Sequence, residues 1–123
     1  MNGSNLVADT NIILYLFNGD GRISEILSGK QLYISFITEL EILSYRGISK
    51  SGLIKAEQFL SQCKIIDINA GIKKKSVEIR KTFSLKLPDS IVAATAMYLE
   101  LPLISADSDF KRIKELELIH YNI

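Results

Sequence analysis

Five carboxylates stand where apolar stretches give out. "NLVADTN" runs straight into Asp9, "ISFITELE" carries Glu41, "LPDSIVAATA" holds Asp89 beside its proline, and "LISADSDF" ends on Asp107 and Asp109. Taken singly, each has a plain use. Asp9 can cap a helix, and Glu41 comes after Thr38 at the T-x-x-E spacing of a capping box. Asp89 can complement a helix dipole, and Asp107 or Ser108 can cap the helix "DFKRI". Together they ask for more, because capping needs only a hydroxyl or an amide. Thr10, Asn11, Thr38, Ser90 and Ser108 already supply those groups beside the acids. Carboxylates gathered at one place repel and raise one another's pKa unless something cationic sits among them. No Lys, Arg or His recurs at these junctions, so a divalent metal is the expected counter-charge. The donors are all oxygens, which favours a hard ion such as Mg²⁺ or Mn²⁺ over zinc. Such an ion activates water and stabilises charge on a leaving oxygen, so the residues alone suggest a metal-dependent phosphodiesterase or phosphatase.

That reading holds only if the fold brings the acids to one edge. Apolar and β-branched runs predict strands at 5–8, 31–36, 64–68, 102–105 and 118–123. Helical patterns fall at 10–17 and 20–28, split by Asn18-Gly19, then at 37–47 with Gly47 as the stop, and at 51–62. Segment 70–84 is amphipathic, with Ile72, Val77, Ile79 and Phe83 expected inward and Lys73, Lys74, Lys75, Arg80 and Lys81 outward. A helix from Pro88 to Glu100 is apolar nearly all round, so it should be buried on most sides, and a short helix is expected over 108–116. Strands alternating with helices imply a mostly parallel sheet between helical layers. Right-handed crossovers then open every strand-to-helix junction on one rim, where ligands of such sheets bind.

Composition narrows the field. A chain of 123 residues fits one domain, expected to span 1–123. Its hydrophobic content of 47% and charged content of 24% are those of an ordinary globular protein. The single cysteine excludes an internal disulfide and a Cys-based zinc site. Cys63 falls on the stripe Leu53, Ala56, Leu60, Cys63, where inert packing is expected. No stretch reaches the roughly 18 apolar residues of a membrane span, and no basic segment leads into an apolar signal run; a cytoplasmic protein is expected. A net charge of +1 gives no whole-molecule field for a polyanion, so such a partner must be held by local cations or metal.

With those junctions in view, the sequence resembles the PIN-domain family, and within it the VapC-type toxin ribonucleases, over nearly the whole chain. "LVADTNIIL" matches the opening strand and first acid, Asp9. "ISFITELEIL" matches the "IS-x-IT-x-x-E" block and gives Glu41; Glu39 stands two residues away, and the T-x-x-E spacing favours Glu41. "DSIVAATAMYLELPLIS" matches "D-x-x-I-A-A-x-A" and gives Asp89, and "SADSDF" matches "T-x-D-x-D-F", giving Asp107 and more loosely Asp109. Ser105 replaces the commoner threonine and keeps the hydroxyl. The resemblance implies an α/β/α sandwich, Mg²⁺- or Mn²⁺-dependent RNA endonuclease activity, a homodimer, and a cognate antitoxin that inserts into the active-site groove.

On this reading Asp9, Glu41, Asp89 and Asp107 hold one or two metal ions, with Asp109 a ligand or an orienter of one. Ser105 fixes a carboxylate, binds phosphate or is a strand-end hydroxyl with no role, and Thr10 and Asn11 orient Asp9 or cap its helix, with capping favoured. Arg46, Lys111 and Arg112 are the candidate rim cations for RNA, while "KKK" at 73–75 reads as a solvated face. His120, the sole histidine, is expected away from this edge. Two rivals are a PIN-like scaffold that only binds a partner, which loss of a carboxylate would mark, and a receiver-like phosphoacceptor domain. The latter needs a strand-ending Asp and a strand-ending Lys; Asp67 lies too far inside "KIIDI", and "LPLIS" ends without a lysine.

Overall fold

The computed structural model describes residues 4–122. Along these run β1 (Asn5–Ala8), α1 (Thr10–Phe17), α2 (Gly21–Leu27), β2 (Gln31–Ser35), α3 (Phe36–Leu43), α4 (Lys50–Ser61) and β3 (Lys64–Ile66). The second half holds α5 (Ala70–Phe83), α6 (Leu87–Leu99), β4 (Leu103–Ser105), a 3-10 helix (Ser108–Arg112) and β5 (Leu118–His120). The strands form one sheet in the order β3-β2-β1-β4-β5, with every neighbouring pair parallel.

Alternation along the strands divides the core in two. Leu6, Ala8, Leu32, Ile34 and Ile104 face one way and pack with Ile12, Ile13, Ile23, Ile42 and Leu60 from α1 to α4. Val7 and Leu103 face the other way, against Ile72, Ile79, Val92, Ala93 and Ala96 of α5 and α6. The result is the expected three-layer α/β/α sandwich, its sheet parallel throughout. Small side chains let α6 lie deep, with every residue from Ser90 to Ala96 buried. Gly71 admits α5 to the same layer: a Cβ there would come within 2.8 Å of the Tyr98 ring.

The chain moves outward in one direction from β1 to β3, then restarts beside β1 with β4. The crevice between β1 and β4 is therefore the switch point where open parallel sheets bind ligands. A receiver-like domain has β1 next to β3 instead, so this strand order removes that rival.

Several boundaries differ from expectation. Helix α3 stops at Leu43, not Gly47, because the Ser44 hydroxyl donates to the Leu40 carbonyl at 2.6 Å and ends the ladder. Gly47, at φ +83°, turns the chain toward α4 instead. Val77 is exposed; the inward stripe of α5 is Ile72, Ser76, Ile79 and Phe83, and Ser76 is accommodated by donating to the Ile72 carbonyl. The stretch after Asp107 is five residues of 3-10 helix rather than a helix to 116, since Ile113 turns extended. Strands β3 and β5 are shorter than expected, and Ile123 lies outside the described residues. Cys63 is half-buried against the first core, its thiol pushed up to about 11 by burial, in keeping with inert packing.

Candidate active site

Asp9 ends β1 and caps α1. One carboxylate oxygen accepts the Ile12 N–H at 3.1 Å, and the other accepts the Ser105 hydroxyl at the end of β4. The Asp9 N–H bonds the Ile104 carbonyl at 3.3 Å, which closes the same two strands. Ser105 Oγ also accepts the Asp107 N–H at 3.0 Å, so one buried hydroxyl sets the spacing between two acids. Asp107 in turn accepts the Asp109 N–H at 2.9 Å and caps the 3-10 helix.

A second hydroxyl does similar work across α1 and α3. Thr10 Oγ1 lies 2.5 Å from Glu41 Oε1 and 3.3 Å from Thr38 Oγ1, with Thr38 fully buried behind it. Thr10 therefore holds Glu41; it neither caps α1 nor bonds Asp9. The expected capping box is also absent, because Ser35 is the cap of α3, accepting the Ile37 N–H, and Thr38 is already inside the helix. Glu41 is left without a capping duty. Glu39 lines a groove with Leu43, Glu57 and Cys63 and takes no part in the Thr10 and Thr38 contacts.

Asp89 lies in the first turn of α6, whose cap position is Lys86 and carries no side-chain cap bond. Burial is the main reason its pKa is raised, and the charge of Asp107 adds to it. Lys86 opposes the shift, while Glu41 and Asp109 reinforce it. Asp9 is pushed up to about 6, first by burial, with smaller contributions from Asp89 and Asp107; the bonds from Ser105 and Ile12 pull the other way. Asp9 thus lies in the fields of Asp89 and Asp107, and Asp89 in those of Glu41 and Asp107, although α1, α3, α6 and the loop after β4 are far apart in sequence.

The remaining expected residues divide. Asp109 is held by Arg112 at 3.1 Å, and Arg112 also donates to the Phe83 carbonyl at 2.8 Å. Arg112 is therefore a brace between that loop and the end of α5, not a free rim cation. Asn11, Arg46 and Lys111 are exposed and make no side-chain hydrogen bond among the described residues. Lys86, three residues before Asp89, is a neighbouring cation that the sequence motifs do not single out. His120 pairs in register with Ser105, at the carboxyl end of the sheet and not away from it, and its ring bonds the Ala106 carbonyl.

Among the described residues no three His, Cys, Asp or Glu side chains form a ready-made metal-holding group. The donor chemistry nonetheless fits a hard divalent cation: the neighbouring groups are carboxylates and hydroxyls, and burial, with smaller contributions from nearby acids, raises the pKa values of Asp9 and Asp89.

The comparisons assign this parallel α/β/α sandwich, with its acidic crevice at the switch point, to a family. The PIN domain family model matches residues 6–116. A chain of a toxin–antitoxin complex from Klebsiella pneumoniae is 32% identical, with 96% of this chain and 99% of that one covered and a TM-score of 0.84. VapBC-1 from nontypeable Haemophilus influenzae is 24% identical over 94% and 97% of the two chains, with a TM-score of 0.78. VapBC2 from Rickettsia felis, solved with a promoter DNA fragment, is 21% identical over 96% and 99%, with a TM-score of 0.77. These last two speak to fold alone. A comparison with curated proteins finds no match. The chain belongs to the PIN-domain family of nuclease-type hydrolases, and the 32%-identical chain is part of a toxin–antitoxin complex.

Proposed function

We propose that this protein is a Mg²⁺- or Mn²⁺-dependent RNA endonuclease and the toxin of a toxin–antitoxin pair. The observation that carries the reading is Asp9: a carboxylate buried at a switch point, raised to about 6, with Asp89 and Asp107 adding to the repulsion. A fold gains nothing from such company unless a cation is to be held there. Asp9, Glu41, Asp89 and Asp107 would hold one or two ions. When bound, the ion supplies a more acidic water and charge stabilisation for the oxygen leaving phosphorus. The protein's own part is placement. Ser105 keeps Asp9 and Asp107 at fixed spacing, Thr10 holds the Glu41 carboxylate, and Arg112 holds Asp109 and the loop that carries Asp107. Asn11 flanks Asp9, and Arg46 and Lys111 are exposed cations available to an RNA backbone.

The reading extends to a cognate antitoxin as partner, because the 32%-identical chain is part of a toxin–antitoxin complex. It extends further to a homodimer and a cytoplasmic setting; no described helix is long and apolar enough to cross a membrane. One observation favours the binding-scaffold reading instead, namely that no three metal-binding side chains among the described residues are already grouped. Cleavage decides between them. Structured and single-stranded RNAs are incubated with wild type and Asp9→Asn in Mn²⁺ or Mg²⁺, with and without chelator. Cleavage by wild type alone, abolished by chelator, is expected. Equal cleavage by Asp9→Asn would falsify the assignment of Asp9, and chelator-resistant cleavage would remove the metal.

A further inference from the structure

We infer that Lys86 is a substrate-contact residue whose ammonium group binds a phosphate oxygen of RNA at the lip of the acidic crevice. The inference rests on the nuclease reading and deepens it. Lys86 occupies the cap position of α6 and Asp89 its first turn, so the two share a face one helical turn apart. The backbone there is fixed, because the Lys86 carbonyl accepts the Ser90 N–H at 2.9 Å and the Ser90 hydroxyl at 3.0 Å. The side chain is not. The ion pairs among the described residues are Lys75–Glu78 and Arg112–Asp109, and Lys86 belongs to neither.

Its position is a poor one for stability. A cation at a helix N-terminus opposes the dipole, and lysine leaves the first-turn N–H groups without a side-chain acceptor. Ser or Asp would serve the helix better, so the choice of lysine points outward to a ligand. The crevice also needs it. A floor of carboxylates repels phosphate, and Arg112 is already committed to Asp109 and the Phe83 carbonyl, while Lys111 does not figure among the charges that act on Asp89. Lys86 is the cation that acts on Asp89 while keeping its three donors unengaged. A compact ammonium suits one phosphate oxygen, where a guanidinium would take two.

The test uses Lys86→Gln, which removes the charge and leaves the Ser90 bonds, with Lys86→Arg as the conservative variant. Three quantities are read: kcat and KM for RNA cleavage in Mn²⁺, the salt dependence of RNA affinity in chelator by fluorescence anisotropy, and Mn²⁺ affinity by calorimetry. Losing one contact to single-stranded RNA lowers the slope of log affinity against log salt by about 0.7. KM should rise roughly three- to tenfold, far more than kcat falls, Mn²⁺ affinity should hold, and Lys86→Arg should recover most of the loss. Normal RNA binding with an unchanged slope in Lys86→Gln overturns the Lys86 contact alone. A change confined to Mn²⁺ affinity overturns it too, assigning Lys86 to the charge balance of Asp89. Should wild type bind RNA through Lys86 but cut none, the nuclease reading falls and the contact stands; should wild type bind no RNA, both fall.

Discussion

Asp9 and Asp20 perform the same local task under opposite conditions. Each caps a helix, Asp9 through the Ile12 N–H and Asp20 through those of Arg22 and Ile23. Around Asp20 the structure gathers support: the Tyr121 hydroxyl donates to it at 2.9 Å, and the Arg22 guanidinium bonds that hydroxyl and lies 4.8 Å over the Tyr121 ring. The Ile23 N–H, then Tyr121, hold Asp20 below the usual carboxylate range. Around Asp9 the structure gathers burial and other acids, and its pKa goes up to about 6. Capping explains Asp20 completely. It leaves the surroundings of Asp9 unexplained, and that excess is what marks a site.

The sharpest way to break this comparison is pH. Folded Asp9 keeps its proton to about 6, against 3.8 for the ordinary group, so below about pH 4 it costs the fold nothing. Metal-free stability then falls as pH rises through 6, by roughly 3 kcal/mol. Asp20, with its lowered pKa, contributes stability above the ordinary carboxylate value and loses it as pH falls. In chelator, Asp9→Asn should abolish the decline between about pH 4 and 6 and be at least as stable as wild type at pH 7. Asp20→Asn should be less stable at pH 7 and lose the acid limb. Urea midpoints across that range check both. If Asp9→Asn weakens the protein at pH 7 as Asp20→Asn does, Asp9 is an ordinary cap.

Range decides how much of the molecule is legible in its sequence. Strands β1, β2 and β4 and the buried helix α6 announce themselves through apolar runs a few residues long, and the acids at their ends are visible for that reason. The hydroxyl braces are not. Thr10 reaches Glu41 across 31 residues and Ser105 reaches Asp9 across 96, and a hydroxyl carries no periodicity that would reveal its partner. Local signals also mislead where two of them compete. T-x-x-E suggests a capping box at Thr38, but Ser35, at the strand end, takes the cap first. Val77 reads as inward because it is apolar, whereas the helical stripe through Ile72 and Ile79 passes over Ser76. Arg112 stands beside the acids in sequence, yet its i, i+3 relation to Asp109 gives it a partner.

A weaker but more pointed test asks whether the braces serve the site or only the fold. Removing the partner that orients a metal ligand typically costs 10- to 100-fold in affinity. Thr10→Val keeps the shape and loses the hydroxyl, so Mn²⁺ affinity by calorimetry should fall about 10- to 100-fold, and Thr10→Ser should restore it. Thr38 is buried and bonded to Thr10, so some stability is expected to go as well, but that loss is common to any brace. Mn²⁺ affinity unchanged in a folded Thr10→Val protein would make the Glu41 contact a structural one.

The smallest effect is expected at the clamp around Asp20. Tyr121→Phe deletes the hydroxyl shared by Asp20 and Arg22, while the ring stays buried under the guanidinium and Arg22 still bonds the Asn122 carbonyl. A loss of about 1 kcal/mol is expected from urea unfolding, since Asp20 remains near water and keeps its backbone donors. Mn²⁺ affinity and cleavage should not move. The prediction is informative because the two regions are linked by the Tyr121 N–H, which bonds the Ser105 carbonyl at 2.8 Å, directly behind the hydroxyl that spaces Asp9 and Asp107. The Phe variant retains that backbone bond. If its cleavage falls nonetheless, the clamp helps to set the position of Ser105, and the contrast between an aspartate kept for the fold and one kept for chemistry becomes a coupling between them.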